Sequence, residues 1–225
     1  MTLPFMPAAV IFDMDGLIFD TETLYQDAFL AAAADGGHSL SVSLIQSTIG
    51  ITWVQSRSLI LGQLGSDFPI DNFFAQMVRH FDSLAATQLR IKPGVLELLD
   101  CLDLFAIPRC IATSSAHATV ESHLAAHCLT ERFHAVVGHG DYDASKPAPD
   151  PFLTAAKRLD VSPAHCLALE DSFNGVRSAS AAGMMTFMVP DLLSPTPEMD
   201  SLCLGVVSDL HAIVELIHQA AVADV

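Results

Sequence analysis

Short runs of consecutive apolar residues recur along most of this chain, and stretches of helical periodicity separate them. Ala8-Ala9-Val10-Ile11-Phe12 is the first such run, and it is apolar on both faces, as an interior parallel strand must be. Comparable runs follow at 108–112, 133–137, 165–169, 184–189 and 204–207. Helical stretches fall between them, at about 117–126, 149–159, 175–182 and 210–221. Prolines cluster at the entry of the second of these helices, where they are tolerated, and Gly183 is a natural stop for the third. This β-α-β alternation predicts an α/β fold, a doubly wound parallel sheet with helices on both faces.

Residues 21–92 follow another pattern. Helical runs occur at 25–34, 53–64 and 72–89, with no strand-like run among them. The segment reads as a small all-helical domain inserted after the first strand, and Ile91-Lys92-Pro93-Gly94 marks the return. The expected organisation is therefore an α/β core of residues 1–20 and 93–225, with a helical domain of residues 21–92. No internal repeat or low-complexity tract interrupts either part.

Composition narrows the function classes. Hydrophobic residues make up 51% of the 225, enough for a substantial core. No stretch approaches the roughly 18 apolar residues of a membrane span, and Met1 to Phe12 lacks the basic residues that open a secretory signal. A cytoplasmic protein is expected. Ten basic against 26 acidic residues give a formal charge of −16, which argues against nucleic-acid binding, since that needs basic patches. An anionic substrate would need local help from a cation, helix N-termini or a placed lysine. Five cysteines (101, 110, 128, 166 and 203) show no Cys-x-x-Cys pairing and read as small core hydrophobes. His117, His123 and His127 share one predicted surface helix, but no Glu-x-x-His pattern accompanies them, and they are read as no metal site.

Polar groups collect where the apolar runs end, and ligands of open α/β sheets gather beyond the carboxyl ends of strands. Asp13-Met14-Asp15-Gly16 follows the first run, placing two carboxylates one residue apart. Thr113-Ser114-Ser115 follows the second, offering hydroxyls and backbone N–H groups at a helix entry, a natural anion site. Ser145-Lys146-Pro147-Ala148-Pro149-Asp150 holds a lysine between turn residues, and Glu170-Asp171-Ser172 follows the 165–169 run. Together these supply acids for a hard cation such as Mg²⁺, plus a lysine and a hydroxyl loop for a phosphate. A carboxylate can attack phosphorus and split one hard displacement into two easier ones. A neighbouring acid can protonate the leaving oxygen and then activate water.

In order and spacing these motifs resemble those of the haloacid dehalogenase superfamily, over nearly the whole chain. The resemblance implies a Rossmann-like core and a helical cap of the C1 type that closes over the site. It implies Asp13 as nucleophile and Asp15 as general acid/base. Mg²⁺ would be held by the Asp13 side chain, the Asp15 backbone carbonyl and Asp171, with Glu170 in support directly or through water. Thr113, the Ser114 backbone and Lys146 would hold the phosphoryl group. In the cap, Gly50-Ile51-Thr52-Trp53 corresponds to a specificity loop, with Trp53 and Arg57 as candidate substrate contacts.

Dehalogenases lack the second aspartate, so Asp15 argues for phosphoryl chemistry. The β-phosphoglucomutases share the cap type and the core motifs. They carry a cap-loop Arg where this chain has Trp53, and a His where it has Tyr25. Both departures favour a phosphomonoester phosphatase. The opening Asp-Thr-Glu-x-Leu-Tyr is also similar to pseudouridine-5′-phosphatase-type and sugar-phosphate phosphatase branches. A non-catalytic phosphate-responsive module would have lost a catalytic acid, whereas Asp13, Asp15, Lys146 and Asp171 are all present. The expectation is a Mg²⁺-dependent phosphatase of a small phosphorylated metabolite, binding neither nucleic acid nor membrane, as a monomer or weak homodimer.

Overall fold

The computed structural model describes every residue except Gly50, Thr52, Asp224 and Val225, and describes Trp53 by its backbone. The chain divides into two compact units, one of residues 1–19 and 91–225 and the other of residues 20–90.

The first unit is built on a six-stranded parallel sheet. In chain order the strands are β1 (Ala9–Phe12), β2 (Arg109–Ala112), β3 (Ala135–Val137), β4 (Cys166–Glu170), β5 (Met185–Met188) and β6 (Gly205–Val206). Their order across the sheet is β3-β2-β1-β4-β5-β6, all neighbours parallel. The chain thus winds outward from β1 to β3, then crosses back to β4 on the other side of β1. The switch in direction opens a crevice at the carboxyl ends of β1, β2 and β4. All four residues of β1 are fully buried, as a strand covered on both faces requires. Each such Val, Ile or Phe contributes roughly 1.5–3 kcal/mol through burial.

Four of the helices of this unit match the predicted runs: α6 (His117–Ala126), α7 (Asp150–Arg158), α8 (Phe173–Ala181) and α10 (His211–Ala223). Two more, α5 (Val95–Leu104) and α9 (Pro197–Leu202), were not marked out by the pattern. Helix α6 is less of a surface helix than expected, since Val120, His123 and Leu124 are buried. His123 and His127 place their rings 5.7 and 5.3 Å from the ring of Phe19. Among the cysteines, Cys101, Cys110 and Cys166 are buried as predicted, Cys203 is half-buried, and Cys128 is exposed.

The chain leaves the first unit after Phe19 and re-enters at Ile91, one and two residues earlier than the sequence pattern places the change. Backbone pairing sets these points. Phe19 bridges to Ile91, and the Lys92 N–H donates to the Ile18 carbonyl at 2.9 Å.

The second unit consists, among the described residues, of helices α1 (Thr21–Asp35), α2 (Val42–Gln46), α3 (Trp53–Leu64) and α4 (Ile70–Gln88). Helices α1 and α4 pack together through aromatic rings. Tyr25 stacks on Phe81 with centroids 4.0 Å apart, and Phe29 meets Phe73 at 5.6 Å. Helix α2 is short and starts at Ser41, whose hydroxyl accepts from the Leu44 N–H.

Candidate active site

The site grows out of the ends of β1, β2 and β4. After β1 the Asp13 N–H still donates to the Leu169 carbonyl at 3.0 Å, so the ladder with β4 delivers Asp13 to the carboxyl edge of the sheet. Asp13 is 7% exposed. Past Asp15 the chain turns back on itself, with the Gly16 N–H donating to the Phe19 carbonyl at 2.9 Å. Gly16 has φ +83°, and a Cβ there would collide with the Asp171 carboxylate. Only glycine gives both the left-handed backbone and the room for that acid.

At the end of β4, Glu170 is completely buried and Asp171 nearly so. Ser172 caps α8, its hydroxyl accepting from the Gly175 N–H at 3.1 Å. The same serine donates to Glu170 Oε2 from its N–H and its hydroxyl, at 3.3 and 3.1 Å. Gly175 backs onto the Glu170 carboxylate so closely that any Cβ would overlap it.

Lys146 reaches this cluster from the loop before α7. Its Nζ donates to Asp13 Oδ1 at 2.5 Å, to Glu170 Oε1 at 2.5 Å and to the Ala112 carbonyl at 2.9 Å. Three acceptors use the full donor capacity of an ammonium. The Phe152 ring lies 5.1 Å below it, a further favourable contact for a cation. After β2, Thr113 is buried, and its Oγ1 donates to Asp15 Oδ2 at 3.3 Å while accepting from the Ser115 N–H at 3.0 Å. Ser115 Oγ donates to the same Asp15 oxygen at 2.7 Å.

Charge is unevenly matched here. Burial pushes the Asp13 carboxyl above the ordinary aspartate range; Lys146 opposes that shift and Asp15 adds to it. Burial likewise raises Glu170, against the pull of Lys146. Burial alone would lower the Lys146 ammonium, but Asp13 and Glu170 together hold it above the usual lysine value. One ammonium serving two desolvated acids stays charged, while the acids are harder to ionise than in water.

Asp13, Glu170 and Asp171, all buried, each offer an oxygen within 4.8 Å of the others. Three carboxylates against a single lysine leave an excess of negative charge out of water, which a hard divalent cation with oxygen ligands would neutralise. The donor set fits Mg²⁺ on those grounds.

The structure thus brings together Asp13, Asp15, Thr113, Lys146, Glu170 and Asp171, with Ser114 exposed beside Thr113. Arg57 lies in the helical unit, 3.7 Å from Asp71 in an exposed pair. Gly50 and Thr52 of the expected specificity loop, and the Trp53 side chain, lie outside the described residues. Gly175 escaped the sequence reading as a site residue, and Ser115, read as part of the hydroxyl loop, was assigned no contact with Asp15. Ser114 and Ser115 are both small polar residues at the end of one strand, and nothing in their identity says which meets Asp15.

A model of the haloacid dehalogenase-like hydrolase family matches residues 10–189. A Drosophila melanogaster protein designated "probable pseudouridine-5′-phosphatase" is 35% identical over 195 residues, covering 80% of each chain. The phosphorylated carbohydrates phosphatase of Thermotoga maritima is 29% identical over 176 residues, 78% of this chain and 82% of that one. Among solved structures, the β-phosphoglucomutase of Clostridium difficile superposes with a TM-score of 0.74 at 25% identity, covering 96% of this chain and 100% of that one. A family match spanning most of the chain, over the strands that carry this acid and lysine cluster, makes the chain a member of the haloacid dehalogenase-like hydrolase family.

Proposed function

We propose that the protein is a Mg²⁺-dependent phosphatase of a small phosphorylated metabolite, a sugar phosphate or nucleotide-like monoester, acting through an aspartyl-phosphate at Asp13. The observation that carries this reading is the buried Asp13 carboxylate, held 2.5 Å from the Lys146 ammonium in a cluster with Glu170 and Asp171. The names of the Drosophila and Thermotoga relatives agree with it.

Asp13 attacks the phosphorus, and the bond to the leaving oxygen breaks. Asp15 gives that oxygen its proton, then takes one from the water that hydrolyses the acyl-phosphate. Thr113 and the Ser114 N–H hold the phosphoryl oxygens together with Lys146, which meets their charge at a fixed position. Glu170 anchors Lys146, and with Asp13, Asp171 and the Asp15 carbonyl it would help hold the metal. Bound Mg²⁺ would supply charge neutralisation for the phosphoryl group. Residues 20–90 would act as a cap that excludes water and selects the leaving group, with Trp53 and Arg57 as specificity contacts. Five free cysteines suit the reducing cytoplasm.

A phosphomutase is the second reading, favoured by the likeness to β-phosphoglucomutase. A screen for Mg²⁺-dependent phosphate release over sugar phosphates, nucleotides and phosphoglycolate separates the two. Release from at least one class is expected. No release from any of them, with conversion of β-glucose 1-phosphate to the 6-phosphate, would make the protein a mutase.

A further inference from the structure

The end of β3 and the first part of the loop after it, residues 138–142, hold the backbone of the hydroxyl loop at three points. The Thr113 N–H donates to the Val137 carbonyl at 2.9 Å. Tyr142 donates its hydroxyl to the Thr113 carbonyl at 3.3 Å. The His139 N–H donates to the Ser115 carbonyl at 2.9 Å. The Tyr142 contact fixes the peptide plane that carries the Ser114 N–H, and the other two hold the peptides before Thr113 and after Ser115.

Asp141 sits at the centre of that bracing loop. Its Oδ2 accepts from the Gly138 N–H at 2.9 Å and pairs with His117 Nε2, on the first residue of α6, at 2.8 Å. Its Oδ1 lies 2.9 Å from Arg158 Nη2, at the end of α7. Arg158 also donates through Nη1 to the Val136 carbonyl. One carboxylate therefore ties the end of β3, the start of α6 and the end of α7 to a single loop. Charge-assisted hydrogen bonds of this kind are shorter and stronger than neutral ones. The three donors, Arg158 foremost, hold the Asp141 carboxyl down at about 2, so it is ionised throughout the neutral range.

We propose that Asp141, acting through Tyr142 and the 138–142 loop, is a positioning residue that sets the phosphate-binding geometry of Thr113–Ser115. This deepens the phosphatase reading and rests on it. Asp141 binds no substrate; it determines where the Ser114 N–H aims. Misplacing a binding group by about an ångström can lower rates on the order of a hundredfold.

The test uses inorganic phosphate as the probe and the full chain throughout. Binding is read from the rise in melting temperature with phosphate concentration, and Mg²⁺ affinity from the metal dependence of phosphate release. Asp141→Ala is expected to weaken phosphate binding by about tenfold and to lower kcat/KM comparably, on the strength of the charge-assisted contacts removed. The half-saturating Mg²⁺ concentration should not change, because Asp13, Glu170 and Asp171 lie at the ends of β1 and β4, away from the 138–142 loop. Asp141→Glu should recover part of the loss, and Tyr142→Phe should reproduce part of it with little effect on folding. Glu198→Gln removes a distant ion pair with Arg177 and should leave phosphate binding as it was. If Asp141→Ala folds and binds phosphate like the wild type, the inference is wrong. If Asp141→Ala does not fold, unchanged binding in Tyr142→Phe overturns it equally. A wild type that turns over nothing refutes the phosphatase reading instead, and phosphate binding still judges the positioning role.

Discussion

At the scale of single residues, the site depends on which groups are allowed close to one another. Asp13→Asn keeps the shape of the nucleophile and removes its charge, so turnover should fall by at least about a thousandfold in a phosphate-release assay, as for loss of a covalent nucleophile. Full retention would contradict attack by Asp13. Gly175→Ala is predicted to destabilise the protein by about 1–3 kcal/mol, because the new methyl must displace the Glu170 carboxylate or the start of α8. Urea unfolding would measure it, and the same variant should lose activity as Lys146 loses its anchor. The sequence made Asp13 and Asp171 legible because charged residues behind apolar runs stand out, and Lys146 because it is set between turn residues at a helix entry. It could not reveal Gly175, or that Ser115 of the hydroxyl loop meets Asp15, because these depend on a distance and a direction.

Among the elements, β1 and β4 were readable because complete burial on both faces demands an unbroken apolar run. The long helices were readable for a related reason, since each extends over several turns. Helices α2 and α9 were not: each spans little more than one turn and depends on its capping hydroxyl, Ser41 or Thr196. Helix α5 was not marked out, although its buried Val95, Leu98, Leu99, Cys101 and Leu102 lie on one face and Glu97, Asp100 and Asp103 on the other. The Asp141 hub is a property of elements too, as it joins β3, α6 and α7. Its carboxyl is held below the free aspartate value, so it stabilises the fold fully above pH 3.8 and loses that contribution as pH falls towards about 2. The stability gap between wild type and Asp141→Asn should therefore be constant from pH 7 to 5 and shrink below about pH 4. A gap unchanged down to pH 2 would show that the charge of Asp141 contributes nothing.

For the whole molecule, the buried acids link metal binding to stability. A cation that binds Asp13, Glu170 and Asp171 in the folded chain alone stabilises it by mass action, by about 2.7 kcal/mol at a hundredfold excess over Kd. Mg²⁺ should raise the melting temperature and a chelator should reverse the rise, whereas Asp171→Asn should show little response to either. The doubly wound sheet makes this possible by bringing residues more than a hundred positions apart to one edge. Among the described residues, no helix is long and apolar enough to cross a membrane. The helical unit of residues 20–90 is the part whose purpose the sequence leaves least legible. Its aromatic packing, Tyr25 on Phe81 above all, explains why it folds.

The central claim is covalent, that phosphorus is transferred to the carboxylate of Asp13. An acyl-phosphate is reduced by borohydride to an alcohol, which would turn residue 13 into homoserine. Quenching steady-state turnover with borohydride and mapping peptides by mass should find homoserine at position 13, only when substrate and Mg²⁺ are both present. Rapid turnover with Asp13 recovered intact under the same quench would contradict the account.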